Sequence, residues 1–107
     1  MDVGWTGGLT EAKKVADLAD TFSVAVAPHD CTGPVSLALA SHLVCAQPNG
    51  VVQETTRSWL RTWYTAVAEG LPDIAGGHLR LSDRPGHGVT LRSDMGERIP
   101  AAVRRTR

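Results

Sequence analysis

Cysteine is scarce, no stretch of the chain is apolar for long, and neither sign of charge prevails. Each of these shortages removes a class of protein. Two cysteines, Cys31 and Cys45, in 107 residues cannot make a disulfide scaffold, and no CxxC pair marks a structural zinc site. Reduced thiols in a cytoplasmic protein fit this usage. No window approaches the roughly 20 apolar residues that span a bilayer. The opening Met-Asp-Val-Gly-Trp-Thr-Gly-Gly has neither the basic start nor the apolar centre of a secretory leader. Eleven basic and eleven acidic side chains cancel, so no overall field draws nucleic acid, an anionic membrane or an acidic partner. The four arginines between Arg98 and Arg107 read as a solvated terminus. Internal repeats and low-complexity stretches are also lacking.

What is there suits one small domain with a real core, since 42% of the residues are hydrophobic and the length is sufficient. From Thr10, the apolar residues Ala12, Val15, Ala16, Ala19 and Phe22 fall at helical spacing, opposite Glu11, Lys13, Lys14, Asp17 and Asp20. The pattern predicts an amphipathic helix ending near Thr21, with Thr10 as its N-cap. Ser23 to Pro28 is short, apolar and partly β-branched, as in a buried parallel strand. Pro34 suits the first turn of a second helix, which runs to Ala46 and is apolar on nearly every side. A Pro48-Asn49-Gly50 turn leads to a strand from Val51 to Glu54. Trp59, Leu60, Trp63, Tyr64 and Val67 predict a third amphipathic segment ending at Gly70. Beyond it, 78–82 and 89–91 flank a Pro85-Gly86-His87-Gly88 turn. Helix, strand, helix, strand implies right-handed parallel crossovers, in either a (β/α) barrel or a doubly wound sheet.

In both architectures the C-terminal ends of the strands line the active face. Asp2, His29 and Glu54 each stand at such an end. Asp2 could hydrogen-bond one imidazole nitrogen of His29, fix its tautomer and raise its basicity, making His29 a general acid or base. Glu54 could serve a developing oxyanion in the same cavity. Each also has a structural reading: His29 as a satisfied loop residue, Asp2 as a solvated terminal carboxylate, Glu54 or Thr55 as a helix cap. Structural roles are favoured for His42, His78 and His87.

Four segments in order carry a more specific signal: 2–11 (DVGWTGGLTE), 27–34 (APHDCTGP), Gln53-Glu54, and Pro85-Gly86-His87-Gly88. Together they resemble the last third of galactonate-dehydratase-like enzymes in the mandelate racemase group of the enolase superfamily. The 27 residues from Asp2 to His29 agree with the His-Asp dyad of that group. The resemblance implies an α/β fold, the C-terminal portion of a (β/α)7β TIM-like barrel. Asp2, His29 and Glu54 would end its sixth, seventh and eighth strands. Residues 1–70 would belong to the barrel, and 71–107 would form a closing segment packed on a capping domain.

The chemistry implied is removal of the proton α to a carboxylate by His29, paired with Asp2, followed by loss of the β-hydroxyl. In the family Mg²⁺ holds the enediolate and the eighth-strand glutamate hydrogen-bonds to it. The family's acidic Mg²⁺ ligands sit on the third to fifth strands and its capping domain precedes them, so none is expected in this chain. Asp30 follows His29 where the family loop often has Asn, which places a second carboxylate near the base. The expectation is therefore a partial acid-sugar dehydratase, inactive by itself, whose homo-oligomeric parent acts on a small sugar acid. Met1 would then be an internal or accidental start. A racemase or cycloisomerase parent, or a non-catalytic module completing a barrel in trans, is the alternative.

Overall fold

The computed structural model describes residues 1–99. The last eight residues, with the arginines from Arg104 onward, lie outside the described residues. The element order is α1 (Leu9–Thr21), α2 (Pro34–Ala46), α3 (Arg57–Arg61), α4 (Trp63–Val67), β1 (Ala68–Glu69), β2 (Asp73–Ala75), β3 (His78–Arg80), β4 (Thr90–Leu91) and α5 (Met95–Arg98).

α1 ends where its pattern predicts but begins differently. Gly8, not Thr10, is the N-cap, without a side-chain cap. The reason is a hydrogen-bonded coil just upstream, in which Thr6 N–H reaches Asp2 O at 2.9 Å and Gly8 N–H reaches Val3 O at 2.9 Å. The chain thus enters the helix already wound. Ala12 and Ala16 form its buried stripe, whereas Val15 and Phe22 of the predicted apolar face are exposed. On the wet side Lys13 pairs with Asp17 and Lys14 with Glu11, contacts at the i,i+3 and i,i+4 spacing that adds a few tenths of a kcal/mol each, roughly.

α2 starts at Pro34 as predicted. Its all-round apolarity follows from its position between two cores. Ala40 and Leu43 join Val3 and Ala12 in one cluster, while Ala38 joins Val67, Ala68 and Val89 in the other.

The two predicted strands between the helices are extended segments with a single parallel bridge, Val26 to Gly50. Val26 N–H donates to Asn49 O at 2.9 Å and Val51 N–H to Val26 O at 3.1 Å. Val24, Val51 and Val52 are exposed, so these segments are not covered as the predicted buried strand would be. At Gly50 a side chain would run into the Val44 carbonyl, so the return from α2 into the bridge needs glycine.

The predicted third helix is broken. Thr62, at φ −120° and ψ −98°, separates α3 from α4, and its hydroxyl donates to Ser58 O at 2.7 Å. Such back-bonding disturbs the helical ladder. The Pro85–Gly88 turn is present, with Gly88 N–H to Pro85 O at 3.4 Å, but the strands beside it pair elsewhere. β3 pairs with β2, and β4 with β1, both antiparallel. The β2–β3 hairpin was hidden by its turn, Gly76-Gly77, whose φ values of 58° and 78° are those of a two-residue type I′ loop.

Candidate active site

Three extended segments lie side by side. His29 N–H donates to Met1 O at 2.7 Å, the Val26–Gly50 bridge joins the second segment to the third, and the Gln53 amide donates to Pro28 O at 3.2 Å. Asp2, His29 and Glu54 are thereby brought together, as the sequence led us to expect. His29 Nδ1 lies 3.4 Å from Asp2 Oδ2, and His29 Nε2 lies 3.9 Å from Glu54 Oε2. Asp2 is buried, while the His29 and Glu54 side chains are half exposed, 51% and 53%. The imidazole is thus anchored on one side and open on the other.

The two oxygens of Asp2 divide their partners. Oδ1 accepts from Gly4 N–H at 2.8 Å, Trp5 N–H at 3.1 Å and the Thr32 hydroxyl at 3.3 Å. Oδ2 faces His29 Nδ1 and the Cys31 thiol, the latter at 3.3 Å. Burial by itself would raise the Asp2 pKa. The donors Trp5, Cys31, His29 and Gly4 outweigh it and hold the carboxyl below its ordinary value. Cys31 moves the other way, because burial and the adjacent Asp2 carboxylate both push the thiol up.

Asp30 does not act as a second carboxylate beside the base. Its side chain is buried, and accepts from Thr56 N–H at 2.7 Å and from the Tyr64 hydroxyl at 2.7 Å. Its own N–H donates to Glu54 Oε2 at 3.1 Å, and its carbonyl accepts from the Thr56 hydroxyl at 2.6 Å. The loop after His29 is therefore fastened to the loop after Glu54. The break at Thr62 frees Tyr64 from one continuous α3–α4 helix, and Trp63 packs edge-on against its ring at 4.6 Å. Sequence reasoning missed Tyr64 and Thr56, whose one signal was polarity next to an apolar run. His42, His78 and His87 stand apart from the site: His78 Nδ1 contacts Gly76 O, and His87 Nδ1 accepts from Val89 N–H.

A family model described as enolase C-terminal domain-like matches residues 1–95. The chain belongs to that family. D-xylonate dehydratase from Haloferax volcanii is 32% identical over 96 residues, which are 90% of this chain and 23% of the relative. D-galactonate dehydratase from Ralstonia nicotianae is 35% identical over 98 residues, 84% of this chain and 25% of the relative. The enolase-like chain thus spans about a quarter of the length of these curated relatives. An enolase of the mandelate racemase subgroup from Agrobacterium tumefaciens superposes with a TM-score of 0.78 at 40% identity, over 85% of this chain and 25% of that one. An enolase from Pantoea ananatis, solved with D-gluconate and Mg, has a TM-score of 0.76 at 26% identity, over 89% of this chain and 23% of that one. The expected kinship holds, and the mixed α/β fold matches the enolase C-terminal domain.

Magnesium requires an almost octahedral shell rich in oxygen. Asp2 Oδ1 is already occupied by three donors and the Asp30 carboxylate by two, and the groups facing Asp2 Oδ2 are an imidazole and a thiol. The carboxylates of Asp2 and Asp30 do not fit that ion.

Proposed function

We propose that the chain supplies the acid/base part of an acid-sugar dehydratase, as the last strands and helices of an enolase-superfamily barrel. Residues 1–70 would be barrel and 71–107 a closing segment against a capping domain. The observation that carries the reading is the line Asp2–His29–Glu54, with contacts of 3.4 and 3.9 Å. With Nδ1–H turned to Asp2, the lone pair of neutral His29 lies on Nε2, on the open side. There it takes the proton α to a carboxylate, and Glu54 in its protonated form donates a hydrogen bond to the negative charge that develops on the substrate oxygens. A Mg²⁺ requirement of the whole enzyme is assigned to residues outside this chain. The substrate class is a small aldonic acid, in keeping with the xylonate and galactonate dehydratases that the chain resembles. A cytoplasmic, homo-oligomeric parent belongs to the same proposal. No helix among the described residues is long and apolar enough to cross a membrane.

Two assays test this. The purified chain with Mg²⁺ is expected to leave aldonic acids unchanged, and formation of 2-keto-3-deoxy acids would overturn the fragment reading. A hybrid in which residues 1–95 replace the matching quarter of the Ralstonia relative is expected to dehydrate galactonate. His29→Asn in that hybrid is expected to lower kcat by about 10²- to 10⁴-fold, the usual worth of a general base. A hybrid indifferent to His29→Asn would sink the assignment.

A further inference from the structure

Asp2, His29 and Cys31 bring three different ligand atoms, Oδ2, a ring nitrogen and Sγ, within 4.8 Å of one another. We propose that this trio is a binding site for a thiophilic divalent cation of the Zn²⁺ class. It is distinct in chemistry from any Mg²⁺ site.

Two of the three spacings suit the ion, and the third pair of atoms lies within 4.8 Å. The imidazole-to-carboxylate contact of 3.4 Å is long for a charge-assisted hydrogen bond, which runs about 2.7–2.9 Å. Zinc bonds of about 2.0 Å to O or N and about 2.3 Å to S, at tetrahedral angles, put ligand atoms roughly 3.3–3.5 Å apart. Asp2 Oδ2 lies 3.4 Å from His29 Nδ1 and 3.3 Å from Cys31 Sγ. Imidazole and thiolate select Zn²⁺ over Mg²⁺.

The carboxylate is also built for the task. Oδ1 is held by Gly4 N–H, Trp5 N–H and the Thr32 hydroxyl, which leaves Oδ2 turned toward the two softer donors. Outer partners of this kind orient a ligand. Three protein ligands leave one position for water, because the nearby Glu54 contacts the far side of the ring, at Nε2. The balance is simple: Cys31 gives its thiol proton to solvent and binds as thiolate, and His29 stays neutral and binds through Nδ1. Because the thiol must lose its proton to bind, affinity climbs with pH.

Binding through Nδ1 forces the His29 proton onto Nε2, which removes the lone pair from the open side. Inhibition by zinc follows from this, and only this consequence rests on the proposed role of His29 as base. Binding itself is read without any assay of activity.

The whole chain is treated with a thiol-alkylating reagent, with and without Zn²⁺, and the modified cysteine is located by mass spectrometry. Cys45 is exposed and serves as the internal reference. The expected result is that Zn²⁺ slows alkylation of Cys31 and leaves Cys45 unchanged, while Mg²⁺ protects neither. Equal rates with and without Zn²⁺, or protection of both thiols, would overturn the site. Co²⁺ gives a second readout through its thiolate charge-transfer band. Cys31→Ser is expected to abolish the band and weaken Co²⁺ binding by at least the roughly 10- to 100-fold that loss of a mere outer partner costs. Cys45→Ser is expected to keep it. A band that survives Cys31→Ser or vanishes with Cys45→Ser contradicts the assignment.

Discussion

A buried carboxylate needs a donor for each oxygen, and Asp30 has one on each: Tyr64 on Oδ1 and Thr56 N–H on Oδ2. Tyr64→Phe removes the first and leaves a desolvated acceptor bare. The expected loss is about 1–3 kcal/mol, read as a lower urea midpoint with an unchanged slope. Asp2 is held below its ordinary 3.8 by the donors around it, and Asp94 at about 2 by hydrogen bonds from Arg92 and Arg98. Groups with a lowered folded pKa stabilise fully above the unfolded value and lose that contribution as pH falls through the folded one. Denaturation midpoints are therefore expected to be level near neutrality and to fall from just under 3.8 toward 2. Asp94→Asn is expected to flatten the lower part of that fall, and a curve unchanged by the substitution would refute the assignment. Asp2, His29 and Glu54 were legible because alternating helices and strands put strand ends on one face whatever the details. The direction of Asp30 was not, since it is set by Tyr64, 34 residues on.

At the scale of elements, the sequence carried helices further than strands. α2 was readable at both ends because Pro34 fixes its start and its apolar residues face two cores. The α3–α4 break was not, because Thr62 is an ordinary residue within a good helical period and only its local bonding to Ser58 O exposes the fault. The β2–β3 hairpin is three residues a side, too short for alternation to register, so its one sign was the Gly-Gly pair. Gly77 stands at φ 78° with open space where a side chain would go. Gly77→Val therefore meets only backbone strain, about 1–2 kcal/mol. The expected outcome is loss of the cross-strand amide contacts between Asp73 and Arg80 in NMR spectra, with α1 and α2 signals retained.

For the whole molecule, the exposed apolar surface is the dominant fact. Among the described residues, Trp5, Leu18, Phe22, Val24, Val51 and Val52 are all more than half exposed, and exposed apolar side chains favour association. The isolated chain is expected to self-associate as its concentration rises, measured by sedimentation velocity. A Val24→Lys/Val52→Lys double variant is expected to stay smaller at equal concentration, and identical behaviour would show that these segments are not the adhesive edge. Within this frame the link between the two site loops has a kinetic meaning. The Asp30 amide is held by Glu54, and the Thr56 amide by Asp30, so neither can meet solvent until the same latch opens. Their deuterium exchange should follow one shared opening event, and Tyr64→Phe should speed both amides by the same factor.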